Sequence, residues 1–179
     1  MNNTSSSTNT AAVTGGTGAI GKAISRQLAE KGFQVVLCTR DEDKSQRAVR
    51  QIRQSTGNDQ VSYQLVDLSR HRSIQTLRER WSGPLHVLIN NASTTPKTRQ
   101  ETPEGIELQF ATNVLGYFWM IKDFQDLLID SAPARIVNVA SYWAGGLQLD
   151  DLEFERRNYQ NGAAYRQSKQ AERMLSAAF

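Results

Sequence analysis

Short apolar runs rich in β-branched residues alternate along this chain with longer segments in which apolar residues recur every three or four positions. The first pattern is typical of buried strands, and the second of helices that pack one face on a sheet. The alternation predicts repeated βαβ units around a buried parallel sheet. The predicted strands span 10–13, 33–39, 61–66, 85–90 and 134–140.

Five helical segments follow these strands. Ser69 is predicted to cap the third of them. The fourth, at about 105–129, is apolar on more than one side, which predicts contacts both with the sheet and beyond it. The residues predicted to face the sheet are Ile20, Ile24 and Leu28 in the first helix, Ala48, Val49 and Ile52 in the second, and Ile74, Leu77 and Trp81 in the third.

The whole pattern predicts a single doubly wound α/β domain over residues 10–179, with strand order 3-2-1-4-5, after a polar tail at 1–9. Residues 141–162 form a connection longer than usual, which favours a functional loop. The helical segment from 163 still carries an apolar stripe where the sequence closes at Phe179, without a helix-stop signal. We therefore expect the C-terminal strands of the domain to be missing.

Composition excludes several classes of protein. The chain is 39% hydrophobic and 22% charged, which is ordinary for a globular domain and excludes a disordered or fibrous one. The longest apolar stretch, 114–121, is interrupted by Gly116 and is far shorter than the roughly 20 residues of a membrane span. The N-terminal segment lacks the basic and apolar regions of a secretion signal, so a cytoplasmic location is predicted.

Charge and cysteine content exclude further partners. Lysine and arginine number 21 against 18 acidic residues, and the basic residues recur at helical spacing among acidic and amide neighbours. Such spacing is typical of a solvated helix face, so no nucleic-acid partner is predicted. The single cysteine, Cys38, excludes an intrachain disulfide and a multi-cysteine metal cage, and no metal site is predicted.

The segment TGGTGAIG, at 14–21, lies between the first strand and the first helix. Gly16, Gly18 and Gly21 satisfy the GxGxxG pattern, in which backbone N–H groups and the positive helix end hold a phosphate. Ala23 stands where the phosphate loop of an NTPase needs a serine or threonine for magnesium, which excludes that alternative. Two interpretations of the segment therefore remain: a dinucleotide-binding loop, and a glycine-rich turn that binds no ligand.

The end of the second strand bears on the choice of nucleotide. At this place an acidic residue binds the adenosine ribose of NAD, whereas an arginine accommodates the 2′-phosphate of NADP. The sequence has Arg40 here and no acid at the strand end itself, which favours NADP(H) over NAD(H). The adjacent Asp41 leaves open that Arg40 only pairs with it or caps the following helix.

Tyr165 and Lys169 lie one helical turn apart and share a helix face. A neutral phenol is a poor acid or base at pH 7, but a fixed ammonium nearby favours the phenolate. Proton exchange with an alcohol then becomes feasible. Taken alone, such a pair is more often an ordinary surface contact.

Six ordered motifs together resemble the short-chain dehydrogenase/reductase family, whose fold is Rossmann-like. The resemblance covers essentially every residue after the tail. Residues 144–175 are most similar to the retinol-dehydrogenase-like branch of that family. The motifs are TGGTGAIG at 14–21, VDL at 66–68, LINNAS at 88–93, NVLG at 113–116, IVNVAS at 136–141 and YRQSK at 165–169.

The resemblance implies an oxidoreductase that interconverts a carbonyl and an alcohol on a small-molecule substrate by hydride transfer. It implies that Tyr165 is the general acid/base and that Lys169 holds the nicotinamide ribose. It further implies that Ser141 bonds the substrate oxygen and that Asn113 supports a water that relays protons. The implied cofactor-binding residues are Gly15, Thr17, Gly18, Ile20, Gly21, Arg40, Asp67, Leu68, Asn90, Ala92, Tyr165 and Lys169.

Simpler roles exist for three of these residues. Ser141 can merely end a strand, Asn113 can cap a turn, and Asp67 can cap the helix that follows it. The helices near 105–129 and from 163 onward are surfaces through which members of this family often pair, so the resemblance also allows a homodimer.

Two departures from the family pattern keep other functions open. Ala19 stands where the short branch has glycine, so the loop alone also fits the extended branch, although LINNAS and Arg40 favour the short one. Ser93 replaces the last glycine of NNAG, which we expect to tune activity. The alternatives are an epimerase or dehydratase with the same cofactor, and a non-catalytic NADP-binding remnant if the chain is whole in life.

Overall fold

The computed structural model describes residues 8–179, so the predicted tail lies almost wholly outside the described residues. Five strands form one parallel sheet in the order β3-β2-β1-β4-β5, as predicted. The predicted and observed strand ends differ by at most two residues. The strands are β1 Thr10–Thr14, β2 Gln34–Thr39, β3 Val61–Leu65, β4 Val87–Asn90 and β5 Arg135–Asn138.

The predicted long helix is a composite of a short helix, a π-helical turn and a longer helix. Within residues 8–179, no helix is long and apolar enough to cross a membrane. The helical elements are α1 Ala19–Glu30, α2 Glu42–Thr56, α3 His71–Arg80, α4 Leu108–Phe110, the π-helical turn Ala111–Leu115, α5 Gly116–Asp130 and α6 Asn161–Leu175.

Helices cover both faces of the sheet, so β1 and β2 are buried on both sides. One core lies between the sheet and α1 and α2, where Ala48, Val49 and Ile52 are buried as predicted. The other lies under α3 and α5, where Ile74 and Leu77 are buried and Trp81 packs against the cluster. This two-faced burial is the doubly wound arrangement, and it explains the near-continuous apolar strands.

The prediction that Ile20 faces the core is wrong, because 62% of its surface is exposed. The buried face of α1 carries the small residues Gly21, Ser25 and Ala29 instead. Helix α1 starts so close to the glycine-rich loop that a Cβ at Gly21 would lie 2.3 Å from the carbonyl oxygen of Gly15. Close approach of backbone therefore selects small residues, and the bulkier Ile20 turns towards the cleft described below.

The prediction that Ser69 caps α3 is also wrong. Its hydroxyl and its N–H both donate to Oδ1 of Asp67, at 2.7 and 3.0 Å. Helix α3 begins only at His71, after Arg70, and has no side-chain cap. The Ser69 hydroxyl therefore bonds within a local turn at Asp67 and is not available to cap α3.

Candidate cofactor and active site

The carboxyl ends of the strands open onto a cleft of about 440 Å³. In open α/β sheets, ligands bind outside this edge. The glycine-rich loop, the end of β2 and the segments that follow β3 and β4 all contribute to its lining. The predicted cofactor residues that line it are Gly15, Thr17, Gly18, Ile20, Gly21, Arg40, Leu68 and Ala92.

The glycine-rich loop fits closely between β1, β2 and α1. Gly15 has a φ of 65°, in the left-handed region that favours glycine, and its N–H donates to the carbonyl of Cys38 at 2.9 Å. Helix α1 begins after Gly18 without a side-chain cap. The N–H groups of its first turn are therefore left for water or an anionic ligand.

Thr14 and Asn91 tie this loop to the end of β4. The Thr14 hydroxyl donates to the carbonyl of Ile89 at 3.3 Å and accepts from the N–H groups of Asn91 and Ala92 at 2.8 and 3.1 Å. The Asn91 amide donates to the carbonyl of Thr14 at 2.9 Å. The resemblance places residues 90–92 along the cofactor and so includes Asn91, but it did not predict the contact between Asn91 and Thr14.

Arg40 lies exposed at the edge of the cleft, and its acidic neighbour does not pair with it. The carboxylate of Asp41 accepts from the N–H of Lys44 at 2.9 Å, which caps α2, and lies 3.1 Å from the Lys44 ammonium. These two hydrogen bonds lower the pKa of Asp41. Among residues 8–179, Arg40 has no ion-pair partner, so its guanidinium is available to a ligand.

Asp67 and Asn90 direct their side chains elsewhere. The Asp67 carboxylate serves the turn with Ser69, and Asn90 is fully buried, with its amide nitrogen donating to Asn138 of β5 at 3.0 Å. The next residue, Asn91, lines the cleft instead. The cofactor contacts expected of Asp67 and Asn90 therefore stay predictions.

Asn113 lies in the π-helical turn and is fully buried. Its side-chain oxygen Oδ1 accepts from the N–H of Thr94 at 2.8 Å, and its side-chain Nδ2 donates to the carbonyl of Thr94 and to the hydroxyl of Ser168, both at 3.1 Å. The Ser168 hydroxyl donates to the carbonyl of Tyr165 at 2.8 Å. Asn113 thus joins the segment after β4 to the helix that carries Tyr165, and π-helical turns are frequent at functional sites.

Lys169 is 2% exposed, while Tyr165, one turn earlier on α6, is half-buried. The Lys169 ammonium donates to the carbonyl of Val139 at 3.0 Å and to the carboxylate of Glu172 at 2.6 Å. Ser141 follows Val139 closely along the chain, and its hydroxyl accepts from the N–H of Trp143 at 3.2 Å. Within the described chain no hydrogen bond joins Ser141 to Tyr165.

Glu172 is the functional candidate that sequence reasoning missed. It is fully buried, and burial raises its pKa to about 7, although the charge and hydrogen bond of Lys169 act in the opposite direction. The signal was its position three residues after Lys169, which places both side chains on one face of α6. Its contact with Lys169 became visible only in the folded chain.

The long connection before α6 is anchored on that helix. Arg157 forms an ion pair with Asp151 at 3.1 Å and donates to the side chain of Gln167 at 2.7 Å. Its guanidinium also lies 3.8 Å from the centre of the Phe154 ring. The connection therefore lies against α6 with a defined structure, beside the predicted catalytic residues.

The fold and the cleft together define a doubly wound α/β protein of the dinucleotide-binding type. The family described as short chain dehydrogenase matches residues 9–179. The chain belongs to the short-chain dehydrogenase/reductase family, and its relatives place it in the retinol-dehydrogenase-like branch. Membership implies a nicotinamide dinucleotide as the cofactor.

The similar proteins include enzymes and a solved complex. The chain is 36% identical to human retinol dehydrogenase 13 over 167 residues, which are 90% of this chain and 50% of the relative. It is 37% identical to mouse retinol dehydrogenase 12, covering 89% of this chain and 52% of the relative. A metagenomic short-chain oxidoreductase solved with NADP has a TM-score of 0.74 and 25% identity, over 95% of this chain and 74% of that one. The chain thus spans about half the length of its curated relatives.

Proposed function

We propose that the protein is an NADP(H)-dependent oxidoreductase that interconverts a carbonyl and an alcohol on a small to medium, apolar substrate. The observation that carries the proposal is the helix face of α6, where the buried Lys169 follows the half-buried Tyr165 by one turn. Ser168 on the same helix binds Asn113, so three of the four expected catalytic residues belong to one connected unit. Family membership supports the reaction class.

The cleft fits the proposed cofactor. The uncapped start of α1 offers N–H groups to a pyrophosphate, and a side chain at Gly21 would collide with the carbonyl oxygen of Gly15 in the preceding loop. Arg40 would hold the 2′-phosphate, and Lys169 the nicotinamide ribose. When bound, the nicotinamide supplies or accepts the hydride.

The chain itself would manage the proton and the orientation. Tyr165 would exchange a proton with the substrate oxygen, and the Lys169 ammonium would favour its phenolate form. Ser141 would hydrogen-bond the same oxygen. Asn113 would support the water that passes protons on towards solvent. Hydrogen bonds to Thr94 and Ser168 already hold the Asn113 side chain in place.

The first test is the binding of NADPH and NADH, by fluorescence and thermal shift, followed by turnover with aldehydes and ketones. It is made with the 179-residue chain and with the product of the complete reading frame in parallel. We expect tighter binding of NADPH and net cofactor turnover. NADPH binding without turnover in both samples favours a non-catalytic binding protein, and substrate conversion without net cofactor turnover favours an epimerase or dehydratase.

Arg40→Asp is expected to weaken NADPH binding by about 10- to 100-fold while changing NADH binding much less, because only NADPH carries the phosphate that the guanidinium would bind. Fluorescence titrations with both cofactors measure the difference. Arg50→Asp, the same charge reversal on the exposed face of α2, is the control. Equal losses for both cofactors would refute the phosphate contact.

The homodimer and the cytoplasmic location stay predictions. We infer the homodimer from family membership, through the surfaces of α5 and α6. Sedimentation of the product of the complete reading frame at micromolar concentration tests it, and a monomer there would contradict it.

A further inference from the structure

A carboxylate is buried beside the lysine that the proposed function places at the nicotinamide ribose. Helix α6 presents Tyr165, Lys169 and Glu172 along one face, at intervals of four and three residues. The side chains of Lys169 and Glu172 are 3% and 0% exposed, and the ammonium and carboxylate are 2.6 Å apart. The second carboxylate oxygen, Oε1, is buried without a hydrogen-bond partner in the described chain.

We propose that Glu172 is a positioning residue that holds the Lys169 ammonium in place and partly offsets its charge, and so tunes proton transfer by Tyr165. The inference rests on the proposed function and adds a residue to it. Lys169 has three N–H donors, of which Glu172 and the carbonyl of Val139 take two. The third N–H donor is left to bind the cofactor ribose.

The physical argument concerns the net charge that the tyrosine senses. An ammonium alone favours the phenolate, whereas a carboxylate in contact with that ammonium cancels part of its field. In a buried site this cancellation is weakly screened by solvent and salt. Replacing the carboxylate by an amide of equal size therefore leaves the ammonium unopposed and favours the phenolate at lower pH.

Three titratable side chains lie near Glu172 and bear on the charge of the buried pair. Lys169 contacts it on its own helix, where Tyr165 lies two turns earlier, and Tyr117 faces it from α5. The Tyr117 hydroxyl is buried without a hydrogen-bond partner in the described chain, and burial, with the charges of Glu172 and Tyr165, raises its pKa. The Lys169 ammonium lies 5.3 Å from the centre of the Tyr117 ring. Tyr117 thus stays neutral, and the charge of the pair depends on Glu172 and Lys169.

The test uses the product of the complete reading frame and the pH dependence of kcat for alcohol oxidation with NADP⁺. For Glu172→Gln we expect the midpoint of the rise in rate to move to lower pH by about half to one unit. Glu172→Asp, which keeps the charge, is expected to restore the wild-type midpoint in part. Glu79→Gln, the same change at an exposed position on α3, is the control and leaves the profile unchanged.

A second readout needs neither cofactor nor turnover. Because the folded-state pKa of Glu172 is raised from 4.5 to about 7, its protonation stabilises the folded chain below pH 4.5, and this stabilisation is lost as pH rises to 7. The Glu172→Gln variant lacks this titration. Its melting temperature relative to the wild type is therefore expected to increase as the pH rises from 4.5 to 7.

The outcomes separate the two levels of the proposal. A wild-type protein without turnover contradicts the proposed function itself. An active Glu172→Gln variant whose pH midpoint matches the wild type contradicts only the role of Glu172, which would then be a packing residue. A melting-temperature difference that stays constant from pH 4.5 to 7 likewise overturns the titration of the buried pair.

Discussion

Tyr165→Phe is expected to lower kcat for both carbonyl reduction and alcohol oxidation by about 10²- to 10⁴-fold, the usual contribution of a positioned acid or base. The substitution removes one oxygen from a half-buried side chain and leaves Ser168, Asn113 and Lys169 in their observed contacts. Binding of NADPH should change little, because the Tyr165 hydroxyl would act mainly on the substrate oxygen. Steady-state kinetics and a fluorescence titration of the same sample measure the two quantities.

Tyr63→Phe is the matched control for this experiment. It removes the same atom from a tyrosine on the outer strand β3, whose hydroxyl donates to Glu42 at 3.0 Å, far along the sheet from α6. We expect its turnover to equal that of the wild type. Full turnover in the Tyr165→Phe variant would contradict the assignment of Tyr165 as the general acid/base. An equal loss of turnover in both variants would indicate a general effect on the fold.

Gly21→Ala is expected to destabilise the chain and to weaken cofactor binding by more than about tenfold. The new Cβ would lie 2.3 Å from the carbonyl oxygen of Gly15 and 2.7 Å from the side-chain nitrogen Nδ2 of Asn91. Neither is the free end of a flexible side chain, because Asn91 is held by Thr14. Overpacking of this kind costs about 1–3 kcal/mol, and here the shift displaces the backbone that would face the pyrophosphate.

Gly162→Ala provides the matched control for the glycine experiment. Gly162 lies in the first turn of α6, and a Cβ there meets nothing within 4 Å. We expect it to keep or slightly raise the melting temperature, because alanine is the better helix former. Thermal unfolding with and without NADPH measures both variants. If Gly21→Ala melts and binds like Gly162→Ala, the close contact of the loop and α1 does not limit cofactor binding.

The sequence predicted the architecture well because burial on both faces leaves a direct trace in it. Strands β1 and β2 read as near-continuous apolar runs, and the inward faces of α2 and α3 follow the helical period. The pattern failed at Ile20, where a close backbone approach matters more than hydropathy. It also failed at Ser69, where a local turn competes with the helix cap for the same hydroxyl.

Most members of the candidate site were also predictable, because the glycines, Arg40, Asn113, Tyr165 and Lys169 stand in ordered motifs. Glu172 lies in none of these motifs, and because an acid on a helix is ordinarily solvated, its spacing from Lys169 alone did not indicate that it is buried. Thr14 and Asn91, 77 positions apart, were likewise not identified as partners.

By itself, therefore, the sequence determined the five strands, their order, the place of the glycine-rich loop and the spacing of Tyr165 and Lys169, since these depend on local periodicity and on short motifs. Only the tertiary structure decided that Asp41 turns to Lys44 and leaves Arg40 available, and that Lys169 meets both Val139 and a buried Glu172. The reason is that the environment of a charge depends on which distant segments exclude water from it, and this burial is set only when the whole chain has packed.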